Sequence, residues 1–475
     1  MLIVACFVAV TVSTGSAIAA PSDGSLDSTF NPGGSGFDSI TEAVAVDAAG
    51  KVIVGGMFTS YNGTTANRLI RLNSDGSIDG TFNTGSGIPS GKVNDIVVLN
   101  DGSLLVGGSF TQYSGVTVSR LIKLSSSGAL DTTFSANLGS LNGQVTDILP
   151  LVDGTFIATG QFTSGIMKFN VFGQKDTPFA TNVGDGFSRG GKYAGEDNGA
   201  TVVRAIQQSN GNLLVVGNFD GFKGSSAPIG LASLDLSGTL VTSFQTNLGT
   251  GMNTNGGGNA VVELTSGKLI VGGGFSSFNS SSVGNIVGLN ADGTLDTTFN
   301  KDGLGSDRQI DFFSVDSNGN VLVSFQNSLA TYTYNGATIA QTIRITSNGA
   351  LDTSFVAPVV SFKTLPLPSG DVYVTGFFTT YGAATVGRFM RLTVITESEP
   401  SPEDPSSSGP TSQVESDSDA IDTALLARTG PDGSLPLTVS LSLLIMGAVA
   451  LIGRQVFART GFSSPLSKGR RRKTV

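Results

Sequence analysis

The 475-residue sequence predicts an all-β fold made of seven copies of one unit, and three observations predict it. The first is a recurring ending, a Gly turn followed by Leu-Asp-x-Thr/Ser-Phe. It reads DGSLDSTF at 23–30, DGSIDGTF at 75–82, SGALDTTF at 127–134, DGTLDTTF at 292–299 and NGALDTSF at 348–355, with divergent copies FGQKDTPF at 172–179 and SGTLVTSF at 237–244. The second is the spacing of these endings, 45 to 65 residues, a period that marks a repeat array. The third is the character of the segments between them. They alternate apolar and polar side chains, favour β-branched residues and lack a helical period, which makes them strands.

Each unit can be read in order. A short apolar segment opens it, as at 43–46 or 93–99, and a turn follows, NDGS at 100–103 or SNGN at 209–212 and 317–320. Asn or Asp beside Gly between apolar runs is a strong hairpin signal, because the turn needs φ > 0. The second segment is the most regular: KVIVGGMF, LLVGGSF, FIATGQF, LLVVGNF, LIVGGGF, VLVSFQN and VYVTGFF. The third reads RLIRLN, RLIKLS, IMKFN, LASLDL, NIVGLN, TIRIT and RFMRLT. With the Leu-Asp-x-Thr-Phe ending as a fourth strand, each unit becomes a four-stranded antiparallel sheet of propeller-blade size.

Counting the segments decides between a ring and an open stack. The last third segment, at 388–394, runs on without a closing Leu-Asp ending, and a spare ending, 26–30, precedes the first unit. An open stack exposes strand edges at both ends. A ring closed by the N-terminal strand removes them, so the expectation is a closed seven-bladed β-propeller over 23–395, with an open β-solenoid as the rival. The GG-x-F-T-x-Y-x-G runs at 55–63 and 107–115, the R-L-I-R/K-L strand and the D-G-S-L/I-D-x-T-F ending resemble the delta-60 repeat family of bacterial β-propellers. That resemblance implies the fold and a surface location, and it brings no catalytic residues with it.

The two ends suggest an address. Residues 1–20 are uncharged and apolar and end in Ala17-Ile18-Ala19, a pattern for signal peptidase cleavage. Residues 396–425 are rich in Ser, Pro and acids and cannot bury enough apolar surface to fold, so they read as a disordered stalk. The pentapeptide Leu426-Ala427-Arg428-Thr429-Gly430 comes next, then the uncharged span 435–452 and a basic tail over 453–475. Eighteen residues in a helix reach about 27 Å, enough for a bilayer, and the tail would sit on the cytoplasmic side. Together these features resemble a Gram-positive cell-wall sorting signal. The resemblance implies that a sortase attacks the Thr429–Gly430 carbonyl and passes the ectodomain to peptidoglycan. The alternative is a plain transmembrane anchor.

Composition excludes several function classes. Residues 1–430 carry 20 basic and 35 acidic side chains, a net −15, which opposes binding to nucleic acid or anionic lipid. There is no His, and the one Cys, Cys6, falls in the expected leader. That removes Ser-His-Asp and Cys-His nucleophile systems, the usual zinc sites and disulfides. No cofactor is expected. The recurring Asp27, Asp79, Asp131, Asp296 and Asp352 could suggest calcium. One carboxylate per turn is too few oxygens, however, and capping of the turn is the better reading, so no metal is expected either.

Two sets of residues are ligand-face candidates. The loop between the second and third strands carries an aromatic in most units, Tyr61, Tyr113 and Tyr381 among them. These could ring a channel mouth, or each could staple its loop to a neighbouring blade. Ligand sites tend to break a repeat and packing tends to obey it, which directs attention to two irregular stretches. The first, 182–200, is Gly-rich and holds Arg189, Lys192, Tyr193, Glu196 and Asp197; the second, 327–341, holds Tyr332. The function expected is that of a secreted, surface-anchored binding or adhesion module with a glycan or protein ligand, and not an enzyme. The alternatives are a carbohydrate-active enzyme using carboxylates alone and a purely architectural surface protein.

Overall fold

A computed structural model describes residues 24–393, apart from 197–198, 227–228, 254–256, 302 and 326–331. The chain divides into two compact units, 1–401 and 402–475. The expected leader, the sorting motif 426–430 and the span 435–452 lie outside the described residues.

The fold is all-β and propeller-like. Among the described residues, seven sheets follow one another, each with three antiparallel strands in chain order. Sheet one is Thr41–Val46, Val52–Gly56 and Leu69–Leu72, and sheet two is Val93–Val98, Leu104–Gly108 and Leu121–Leu124. Sheet three is Val145–Pro150, Phe156–Gly160 and Ile166–Phe169, and sheet four is Thr201–Gln207, Leu213–Asn218 and Leu231–Leu234. Sheet five is Gly258–Glu263, Leu269–Gly273 and Ile286–Leu289, and sheet six is Ile310–Val315, Val321–Phe325 and Thr342–Ile345. Sheet seven is Ser361–Pro366, Val372–Gly376 and Phe389–Thr393. First strands of successive sheets pack against one another, and the first strands of sheets seven and one also touch.

The middle strands are buried along their whole length, which explains why they read as continuous apolar runs. Gly55 is small for a reason: a Cβ there would lie 2.5 Å from Val93 Cγ1 of the next sheet. All seven core clusters draw side chains from two neighbouring sheets, so each sheet is buried by the next one.

The expected fourth strand is corrected. In five units the ending contributes only a single bridge to the third strand, Leu72 to Ile78, Leu124 to Leu130, Phe169 to Lys175, Leu234 to Leu240 and Leu289 to Leu295. In three of these the chain then turns into a helix: α1 at Thr132–Leu138, α2 at Thr177–Val183 and α3 at Thr242–Leu248. In α1 and α2 the motif's Asp caps the helix. Asp131 accepts from Phe134 N at 2.9 Å and Asp176 from Phe179 N at 3.0 Å, both as helix N-caps. Full fourth strands are Leu351–Ala357 in sheet six and Ser25–Leu26 in sheet seven.

Ser25–Leu26 pairs with Thr393 and Leu392 of the last described strand. The match continues in side chains. Tyr61 donates to Gly76 O at 2.7 Å and Tyr334 to Gly349 O at 2.7 Å, each within its own unit, and Tyr381 donates to Gly24 O in the same manner. Arg391 Nε meets Asp27 Oδ2 at 2.6 Å, as Arg71 meets Asp79 and Arg344 meets Asp352, both at 2.7 Å.

Candidate functional site

The first strand of every sheet carries a β-bulge near its start, at the second residue in six sheets and at the third, Val203, in sheet four, visible as a register shift against the middle strand. A bulge leaves one residue unpaired and re-aims the side chains beside it. The residue following the bulge is Ala43, Asp95, Asp147, Arg204, Ala260, Phe312 or Lys363 in sheets one to seven. Flanking positions stay small or apolar, with Val, Ile, Gly, Thr or Ser before the bulge. This position and the bulge residue before it (Glu42, Asn94, Thr146, Val203, Asn259, Asp311 and Phe362) depart from the repeat in charge, size and aromaticity.

Five of these side chains converge. Lys363 Nζ of sheet seven reaches Asp95 Oδ1 of sheet two at 2.6 Å. Sheet one stands between those two, and its matching residue is the small Ala43. Asp95 Oδ2 accepts from Ile148 N at 2.9 Å, and Asp147 Oδ2 from Ala205 N at 3.4 Å, so each carboxylate also ties its strand to the next. The Arg204 guanidinium lies over the Phe312 ring at 4.3 Å, and Lys363 Nζ is 5.7 Å from the same ring. Arg204 Nη1 stops 3.7 Å from Asp147 Oδ1, and its Nε is buried without an acceptor. Burial pushes the Asp147 carboxyl up, and the charge of Asp95 adds to this, while Arg204 and Lys363 offset part of it.

The cluster separates two cavities that have only Arg204 and Lys363 in common. The larger, about 640 Å³, is walled by apolar side chains of the first strands and by Leu365, Pro366, Leu367 and Pro368 at its rim. The smaller, about 230 Å³, is polar and is lined by the bulge residues Glu42, Asn94, Thr146, Asp311 and Phe362 with Lys92 and Gln144. Lys92 Nζ pairs with Glu42 Oε1 at 3.0 Å, and Asn94 and Thr146 donate to the carbonyls of Val145 and Val202. Gln309 and Asn259 donate to Asp311 Oδ1 at 2.9 and 3.2 Å. Burial raises the Asp311 carboxyl despite those two bonds.

The residues expected on the ligand face are placed otherwise. Tyr61, Tyr113 and Tyr332 are each 1 % exposed, so they are corrected from ligand contacts to core residues. Tyr61 and Tyr113 spend their hydroxyls on Gly76 O and Gly128 O, which ties each loop to its own turn. Tyr332 packs on Phe325 with Arg308 over its ring. Tyr381 is half-buried and makes the equivalent bond to Gly24. The stretch 182–200 is not a structureless loop: Phe187–Arg189 and Lys192–Tyr193 form a hairpin that pairs with Gly221–Phe222. Arg189 faces Lys192 across it, Glu196 is exposed, and Asp197 lies outside the described residues. The recurring Asp residues cap turns. Asp27, Asp79, Asp296 and Asp352 each accept from a Thr or Ser two residues on, and each also holds a cation.

Sequence reasoning missed Asp95, Asp147, Arg204, Phe312 and Lys363. The signal was present: aligned on their second strands, the seven units diverge in charge at this offset and at the bulge residue before it.

A family model described as a domain of unknown function (DUF5122) beta-propeller matches residues 50–82, 99–134, 264–299 and 330–355. These stretches are similar to the repeats of a β-propeller family. No curated protein matches the chain. Among solved structures, the extracellular domain of a hybrid two-component system from B. thetaiotaomicron is 10 % identical with a TM-score of 0.42, over 74 % of this chain and 40 % of that one. The chain therefore spans two fifths of the length of that relative. A catalytically inactive virginiamycin B lyase from Staphylococcus aureus is 13 % identical with a TM-score of 0.43, over 75 % of this chain and 96 % of that one. A WD40 beta-propeller domain is 13 % identical with a TM-score of 0.45, over 78 % and 96 %.

Proposed function

We propose that this chain is a seven-bladed propeller, closed by its N-terminal strand, that is held at the cell surface and binds a ligand in the channel between its first strands. The observation that carries the binding role is the ring of residues after the bulge. A position that only filled the core would obey the repeat, as the aromatic loop residues do. Ring closure is supported by the pairing of Ser25–Leu26 with the last strand and by the Arg391–Asp27 and Tyr381–Gly24 contacts that go with it. A binding role is favoured over catalysis because Asp95 is committed to Lys363 and Ile148 N, and Asp147 accepts from Ala205 N with Arg204 3.7 Å away. Attachment rests on the sequence alone: the apolar leader, the acidic stalk, the Leu426–Gly430 pentapeptide and the span that follows it.

Two measurements test the two halves of this reading. Mass spectrometry of the protein released from its cells by wall-digesting enzymes should find chains ending at Thr429 and carrying a wall fragment. Chains running on to Val475 in the membrane fraction would leave the pentapeptide without a role. For the channel, Ala45→Trp should fill the larger cavity, whose wall Ala45 forms in part. Any ligand found by screening the full chain should lose affinity in this variant, and one that binds it unchanged sits elsewhere.

A further inference from the structure

Three arginines of this protein form a repeated set. Arg71, Arg344 and Arg391 each give their Nε to an Asp carboxylate at 2.6–2.7 Å and sit at the same place in their units, so their role is structural. Arg204 is different. Its guanidinium donates no hydrogen bond among the described residues, and its closest carboxylate oxygen is beyond bonding distance at 3.7 Å. Its side chain keeps 20 % of its surface exposed, and it lines the larger cavity. The Phe312 ring at 4.3 Å holds the guanidinium plane from one side. A guanidinium offers five donors in a fixed fork, and a buried one without acceptors is costly unless something from outside supplies them.

We propose that the larger cavity takes a carboxylate carried on an apolar body, with the Arg204 fork as its anchor; this rests on the reading of the channel as the ligand site. The wall determines the body. Val44, Val46, Ile96, Val98, Ile206 and Leu365 give the cavity apolar sides with no aromatic ring to stack a sugar or a base. Its volume, about 640 Å³, falls in the ordinary small-ligand range of roughly 300–1,000 Å³. The floor determines the head group. Asp95 is occupied by Lys363 and Ile148 N, and Asp147 accepts from Ala205 N, so the floor presents the Arg204 and Lys363 cations to an incoming group. An ammonium head would meet Arg204 and Lys363 and be repelled. A planar carboxylate matches the fork with two parallel bonds, which a tetrahedral or neutral head does less well.

The test titrates the full chain calorimetrically with octanoate, octanol, octyl phosphate and octylammonium in the same buffer. Octanoate should bind most tightly and octylammonium not at all. Arg204→Gln should weaken octanoate by about tenfold or more, the cost of a lost charge-assisted bond, and leave octanol unchanged. Arg204→Lys, which keeps the charge without the fork, should fall between, and thermal unfolding of both variants checks that they fold. Octanol equalling octanoate, or octyl phosphate exceeding it, overturns the carboxylate assignment. Octanoate binding that ignores Arg204→Gln but is lost in Ala45→Trp also overturns the anchor while the channel reading stands. Binding that survives Ala45→Trp overturns the channel reading itself.

Discussion

At the residue scale, the repeated Asp is one letter with two roles. Asp79 is nearly enclosed and holds Arg71, Lys51 and Thr81. Burial works against its charge, yet those bonds outweigh it and hold the carboxyl well below the usual range. Asp131, at the matching place, has no cation within bonding distance and caps α1 through Phe134 N. Asp79→Ala should therefore cost about 3 kcal/mol by leaving Arg71 without its partner, and Asp131→Ala about 1 kcal/mol, the worth of a cap. Urea unfolding of the two variants distinguishes these roles; equal losses would refute the distinction. The Asp series was legible in the sequence. Its partner eight residues upstream was equally visible but went unread, because the Arg was absorbed into the strand pattern R-L-I-R-L.

The same scale carries a pH prediction with opposite signs at two sites. Asp79, with its carboxyl lowered, contributes stability above its unfolded pKa and loses it as pH falls. Asp311, with its carboxyl raised, contributes stability below its unfolded pKa, near 3.9, and loses it as pH rises through the folded value. Asp311→Asn keeps an acceptor oxygen for Gln309 and Asn259, so it should stabilise the protein at pH 7 and do nothing at pH 3. Urea midpoints at the two pH values measure this, and a loss of stability at pH 7 would count against the burial argument.

At the scale of the element, three strands per unit were readable from alternation and turn chemistry. The fourth was not, because Leu-Asp-x-Thr-Phe alternates like a strand, yet its Asp bonds backbone N–H groups of the turn and in α1 and α2 caps a helix instead. The hairpin at 187–193 was hidden for a related reason. Gly190 and Gly191 look like disorder, but both take positive φ, 56° and 80°, and form the turn between two short strands. One element departs from its siblings. Helix α3 begins at Val241, with no side-chain cap, although its backbone there (φ −79°, ψ 93°) nearly equals that of Asp131 (φ −80°, ψ 98°). In this unit the upstream cation is gone as well: Ser233 replaces it, and its hydroxyl has no partner. The pair was lost as a pair. Val241→Asp alone should restore the cap to Phe244 N and add about 1 kcal/mol, read as a higher thermal midpoint; no change would mean that the lost apolar packing of Val241 offsets the cap.

At the scale of the whole molecule, the displaced ending 24–30 makes the closure proposal testable. Arg391 and Asp27 are 364 residues apart, yet they reproduce the bond that Arg344 and Asp352 make over eight. If the ring is closed, this bond belongs to a sheet buried on both sides, and unfolding is one cooperative event. Asp27→Ala should then lower the single thermal midpoint about as far as Asp352→Ala does. Removing residues up to Phe30 should go further. It strips the edge of Phe389–Thr393, leaves Arg391 without Asp27, and uncovers the Tyr373 and Phe389 rings on which Phe30 packs. The truncated chain should unfold at lower temperature and associate, since an open strand edge pairs with other copies. In an open array the first residues would only fray, and both changes would leave the main transition where it was. Scanning calorimetry of wild type, Asp27→Ala, Asp352→Ala and the truncation, with light scattering alongside, decides between ring and stack.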